Sequence, residues 1–171
     1  MRRILPLLLV SSCSTFTIRQ AVIPQDLYKI QECRQTAFEG KERLLASELS
    51  FLRADAAQRD SVACFVAERS NKIVGTLDLV TKSKRKALIR NVFVRPDCRG
   101  QGYAKELVQQ AEASLDQGCV IQLDVDTNNT PAVSLYERMG FVPAGVVHAS
   151  LQAIGKSLGL SLLMTMEKAV S

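Results

Sequence analysis

The sequence predicts one α/β domain: a mixed, mostly antiparallel sheet of about seven strands flanked by helices. Three observations carry that expectation. Three strand-like runs follow one another over residues 62–94 with short polar turns between them, the pattern of an antiparallel meander. A strand, a helix and a further strand then follow over residues 91–125, and a crossover of that kind makes a parallel pair. The 171 residues, 47% hydrophobic and 23% charged, suit a single core. No run approaches the roughly 20 apolar residues of a membrane-spanning helix.

Charge and composition narrow the partners. Lys and Arg outnumber Asp and Glu by 22 to 17, which favours anionic ligands, while a nucleic-acid binder is usually more basic and more aromatic. Five cysteines, Cys13, Cys33, Cys64, Cys98 and Cys119, are scattered with no CxxC pair, so neither a disulfide framework nor a metal site is expected. A reducing compartment fits best. MRRILPLLLVSSCST at 1–15 has two arginines, a short apolar run and small hydroxyl residues, the composition of an organellar targeting segment, plastid or mitochondrial. The alternative is a frayed tail on a cytoplasmic protein, with the folded domain over 16–170 in either case.

Each element follows from pattern. FTIRQAV (16–22) alternates as a half-buried strand does, and Pro24 with Asp26 supplies a stop and a helix start. Leu27, Ile30, Cys33, Ala37 and Phe38 recur at helical spacing, and a second short helix runs over 44–52 after Gly40. VACFVAE (62–68) and IVGTLDLV (73–80) make a hairpin; ALIRNVFV (87–94) returns as the third strand, with TKSKRK (81–86) as a solvated basic loop between. Ala104, Leu107, Ala111 and Leu115 mark a helix face that Gly118 ends, and VIQLDV (120–125) is a strand. Thr130 with Pro131 looks like a cap followed by a first helical proline, and Gly140 ends that helix. FVPAGVVHA (141–149) and LSLLMTMEK (160–168) complete the sheet.

The join in NVFVRPDCRGQGYAKELVQQAE (91–112) is chemically unusual. Pro96 stops the strand, and Arg99, Gly100, Gln101 and Gly102 lead straight into a helix. A helix start exposes unpaired N–H groups and the positive end of the dipole, glycines admit a close approach, and Arg99 adds a forked donor. No acid stands in Gln101 to Lys105. The corner therefore suits an external anion.

R-G-Q-G-Y-A at 99–104, after the strand end VFVRP, resembles the R-x-x-G-x-G/A motif of the GCN5-related N-acetyltransferases (GNAT). N-T-P-A-V-S-L-Y-E-R-M-G-F at 129–141 is similar to that family's N-x-x-A-x-x-L-Y-x-x-x-G-F, at the family's usual separation. The resemblance runs from Phe16 to about Lys168 and implies a GNAT-like acyl-CoA N-acyltransferase fold. It implies acetyl-CoA as cosubstrate, its pyrophosphate on the amides of Arg99, Gly100, Gln101, Gly102, Tyr103 and Ala104. The pantetheine arm would lie along Phe93 and Val94, the Val94 amide would polarise the thioester carbonyl, and Asn129 would touch the cofactor. Tyr136 matches the acid that protonates the departing thiolate. The implied reaction moves acetyl to a primary amine, on a protein N-terminus, a lysine or a small molecule, by direct attack in a ternary complex with no metal, in a monomer or homodimer.

One departure stands out. Many members carry a glutamate base on the strand before the motif, where this chain has Arg90 and Asn91. Asp124 and Asp126, at the C-terminal end of the strand QLDVD, are replacement candidates; loop hydrogen bonding is their structural reading. Two other functions compete. A dinucleotide-binding module shares the strand, GxG and helix, with Asp124 and Asp126 downstream, but GQGYAK lacks its third glycine. A CoA-binding protein without activity keeps the fold. His148 is the single histidine, with no nucleophile motif to serve. Cys98, beside Arg99 and a helix start, is placed where a thiol could turn reactive, or is incidental.

Overall fold

The computed structural model describes residues 16–35, 62–144 and 163–171. Seven strands, β1 (Thr17–Gln20), β2 (Val62–Arg69), β3 (Lys72–Ser83), β4 (Lys86–Val94), β5 (Val120–Asp126), β6 (Val142–Pro143) and β7 (Leu163–Ala169), form one sheet in the order β1-β2-β3-β4-β5-β7-β6. Among these, β4 and β5 are the parallel pair, and every other neighbouring pair is antiparallel. The described helices are α1 (Leu27–Gln35), α2 (Tyr103–Ala113) and α3 (Thr130–Arg138), with a 3-10 turn at Pro96–Cys98. The mixed seven-stranded sheet matches the expectation. The expected targeting segment 1–15, the helix at 44–52, residues 145–149 of the strand FVPAGVVHA, and His148 lie outside the described residues.

Two helices sit on opposite faces of the meander. Leu27, Ile30 and Cys33 of α1 pack on Cys64, Val66 and Ile73. Leu107, Val108 and Ala111 of α2 pack on Phe65, Ala67, Leu77, Ile121 and Leu123 in the main core. Gly75 is what lets α2 come so near: a Cβ there would lie 3.2 Å from Leu107 Cδ1 and 3.2 Å from the Phe93 carbonyl oxygen.

Several boundaries differ from the sequence reading. The hairpin β2–β3 closes on Ser70 and Asn71, with φ of 49° and 62°, as a two-residue turn requires. TKSKRK is not a six-residue loop, since Thr81 pairs with Ala87 and Ser83 with Lys86; its lysines tolerate a ladder because they are exposed there. Asp26 precedes α1 as expected, but its carboxylate is taken by Arg19 and the Val22 amide rather than by helix amides. α2 ends at Ser114, so Gly118 does not terminate it; with φ of 81°, Gly118 turns the chain into β5 and donates to Val170. Asn129, not Thr130, caps α3, accepting from the Ala132 amide.

One irregularity shapes everything that follows. Thr76 pairs with Phe93 and Asp78 with Arg90, so β4 spends one residue more than β3 between the same two rungs. The excess sits at Asn91, whose φ is 50°. A bulge flips the side-chain alternation beyond it. Ala87 and Ile89 before it, and Val92 and Val94 after it, all pack on the α2 side, while Phe93 turns to the α1 cluster. Pairing between β4 and β5 ends at Ile89 and Leu123 although both strands continue, to Val94 and Asp126.

Candidate functional site

The turn between β4 and α2 is built to be bare. Gly100 and Gly102 have φ of 76° and 88°, and a Cβ on either would meet nothing within 4 Å. Gly102 is the N-cap residue of α2 and offers no side-chain cap. The first helical bond runs from the Glu106 amide to the Gly102 carbonyl at 3.1 Å, so the first-turn amides of α2 have no intrahelical acceptor. Arg99, Lys105 and Arg138 stand around the adjoining hollow of about 400 Å³, whose apolar wall is Val94, Pro131 and Leu135. Arg99 donates through Nε to the Val94 carbonyl at 3.2 Å, and its amide makes a long 3.4 Å contact to Pro96. Gln101 accepts from Arg69 Nη1 at 3.1 Å, which ties the turn to the β2–β3 hairpin. Tyr103 is buried, its ring edge-on to Phe16. Gly100, Gly102, Tyr103 and Ala104 all line the hollow. Because the helix begins at Tyr103 and not at Gln101, its first turn does contain an acid, Glu106; that side chain lines a different hollow, beside Phe16 and Ile18.

A second opening lies where β4 and β5 part. It holds about 230 Å³ between Ile89 to Val92, Leu123 to Asp126, and Asn129, Ala132 and Tyr136. The Arg95 amide donates to Val74 across the sheet at 2.9 Å. Strand alternation then turns the Val94 and Val92 N–H groups away from β3, toward the side where β5 has left. The same alternation points the Phe93 amide into the β3 ladder, where Phe93 pairs with Thr76.

Tyr136 is 6% exposed, and burial pushes its phenol up to about 12. Asp124 accepts from the Thr165 hydroxyl at 2.6 Å, and Asp126 accepts from the Asn128 amide at 2.8 Å; both line the opening. Asn129 lines it too, with its side-chain oxygen on the Ala132 amide at 3.3 Å. Burial pushes the Cys98 thiol up despite the neighbouring arginines, and takes Cys33 to about 12. Among the described residues no three His, Cys, Asp or Glu side chains gather as metal ligands would.

Sequence reasoning missed three parts of this site. Val92 joins Val94 through a bulge that is invisible without the partner strand. Arg138 stands one turn after Leu135 on the helix face bearing Pro131, spacing that could have revealed it. Arg34 is fully buried against Asp78, with Nη2 on Oδ1 at 2.7 Å and Nε on the Thr76 hydroxyl at 3.0 Å; it lies one turn after Ile30 and two after Leu27, on the apolar face.

The chain is 33% identical over 98 residues to streptothricin acetyltransferase of Escherichia coli, covering 56% of each protein. It is 35% identical over 86 residues to N-alpha-acetyltransferase MAK3 of Arabidopsis thaliana, covering 47% of this chain and 45% of that one. The chain thus spans about half the length of these curated relatives. Its fold superposes on the PaiA N-acetyltransferase of Thermoplasma acidophilum, solved with coenzyme A, with a TM-score of 0.70 at 18% identity over 91% of this chain and 99% of that one. The model of the acetyltransferase (GNAT) family matches residues 25–141, and the chain belongs to that family.

Proposed function

We propose that the protein moves acetyl from acetyl-CoA to a primary amine by direct attack in a ternary complex. The observation that carries this reading is the parting of β4 from β5 next to the bare turn: the ladder stops at Ile89 and Leu123, and the exposed strand edge leads from the Gly100–Gly102 turn to Tyr136. Two left-handed glycines with open space beyond them, a helix start and three cations fit a diphosphate. The free edge of β4 offers Val94 N–H to an extended amide-bearing arm, much as an added strand pairs. Acetyl-CoA supplies the activated acyl carbonyl.

The chain's own groups supply the rest. The Val94 amide, with Val92 beside it, faces the position where negative charge grows on the carbonyl oxygen. Tyr136 hands its proton to the departing thiolate. Burial raises the phenol to about 12, and burial disfavours a thiolate in the same way. Asp124 is the proposed acceptor of the amine's proton, directly or through water. The names of the two relatives divide between streptothricin and an N-alpha position; the proposed acceptor class is a primary amine, with protein amines preferred if residues 1–15 address an organelle.

Calorimetric titration with acetyl-CoA and separately with NAD tests the binding step; heat with acetyl-CoA and none with NAD is expected. A panel of free-amine peptides, lysine peptides and small amines, read by CoA release, tests the transfer. Acetyl-CoA binding without release on any amine would leave a CoA-responsive binding protein.

A further inference from the structure

Arg34 anchors two hydrogen-bonded paths that end on one residue. On the first, its Nη2 holds Asp78 Oδ1 at 2.7 Å, and Asp78 Oδ2 accepts from Asn91 Nδ2 at 2.9 Å. On the second, its Nε donates to the Thr76 hydroxyl at 3.0 Å. A guanidinium can only donate, so Thr76 spends its own proton elsewhere, on the Asn91 carbonyl at 3.4 Å. The side chain and the main chain of the bulge residue are therefore both referred to one guanidinium on α1.

Stability alone is a weak reason for this arrangement. Arg34 and Asp78 are each about 1% exposed in their side chains, and Arg34 Nη1 has no hydrogen-bond partner among the described residues. Buried ion pairs of this kind are often matched or bettered by apolar side chains of similar volume, and their best-attested use is to fix register. The register at stake is that of β4, where Asn91 holds φ of 50°, a left-handed conformation that asparagine adopts more readily than most side chains but still at a cost.

We propose that the buried Arg34–Asp78–Asn91 chain, with Thr76, is a positioning device for acyl transfer: it sets the bulge, and the bulge aims the Val92 and Val94 N–H groups into the opening beside β5. The inference rests on the acetyl-transfer reading. Arg34, Asp78 and Asn91 are positioning residues, acting on the reacting carbonyl through the backbone of β4.

The test is the double variant Arg34→Met, Asp78→Leu, which fills the space and removes both charges. Three readouts are compared with the parent: CoA affinity by calorimetry, kcat and KM with a peptide bearing a free N-terminus and a lysine, and the carbonyl stretch of bound [1-13C]acetyl-CoA by infrared difference spectroscopy. CoA affinity should stay within about threefold, since the glycine turn is untouched, while kcat falls at least about tenfold with little change in KM. The carbonyl stretch should move back toward its value in water. A folded double variant with parental kcat and parental stretch overturns the proposal, as does a loss of kcat matched by an equal loss of CoA affinity. Asn91→Gly decides if the double variant does not fold, because glycine adopts the positive φ freely while losing the carboxamide that reaches Asp78; the same split is expected, and parental kcat overturns the proposal. Absence of acetyl-CoA heat in the parent protein sinks the acetyl-transfer reading itself, a result distinct from variants that match an active parent.

Discussion

At the scale of single residues, the proposed chemistry centres on Tyr136. Tyr136→Phe removes one hydroxyl from a buried ring and should lower turnover roughly 10²-fold or more while leaving acetyl-CoA affinity near parental; steady-state kinetics beside calorimetry check both halves. Its ionisation also couples to stability. The phenol titrates near 10 in the unfolded chain and about 12 in the fold, so between those values the folded state holds a proton that the unfolded state has lost. Stability from this group is complete below pH 10 and is lost as pH rises toward 12, by about 2–3 kcal/mol. Denaturation of the parent and of Tyr136→Phe at intervals across that range should show a steeper fall in the parent. That Tyr136 and the two glycines would stand beside the hollows was legible because their motifs fix them in sequence. Asn129 was expected beside the opening, which it lines, but not as the α3 cap, because a cap is defined by which amide the side chain reaches.

At the scale of elements, the turn into α2 and the seat of α2 on the sheet answer to different glycines. Gly102→Ala meets no atom within 4 Å, so its cost is the left-handed backbone alone, about 1–2 kcal/mol, and its functional cost is weaker acetyl-CoA binding, measurable by calorimetry. Gly75→Ala is the reverse. Its Cβ would press on Leu107 and the Phe93 carbonyl at 3.2 Å, so it should destabilise the fold by about 1–3 kcal/mol by overpacking, read as a lowered denaturation midpoint. Helical spacing made α2 and α3 legible, whereas the end of α2 at Ser114 was not, since Gly118 serves equally well as a stop or as a turn into β5.

At the scale of the whole molecule, the meander and the single parallel step could be inferred because alternation reports which face each residue takes. The parting of β4 and β5 could not. The bulge next to it is one excess residue in β4 that exists only relative to β3, and Arg34 is a charge on a helix face that the apolar pattern assigns to the core. Charge is also expressed globally. With a net charge of +5 and Arg99, Lys105 and Arg138 around one hollow, raising salt from about 0.05 to about 0.5 M should weaken acetyl-CoA binding several-fold, and Arg138→Ala should flatten that dependence. The placement of the bare turn inside the β4–α2–β5 crossover has a consequence for how the chain folds. Strands β2 to β4 can zip as neighbours through short turns, but the crossover must close over a longer stretch of chain before its loop entropy is repaid. A molecule that has completed only the meander has no corner in which to receive a diphosphate, so ligand added early in refolding finds nothing to grasp and should stabilise the finished protein without hastening its formation.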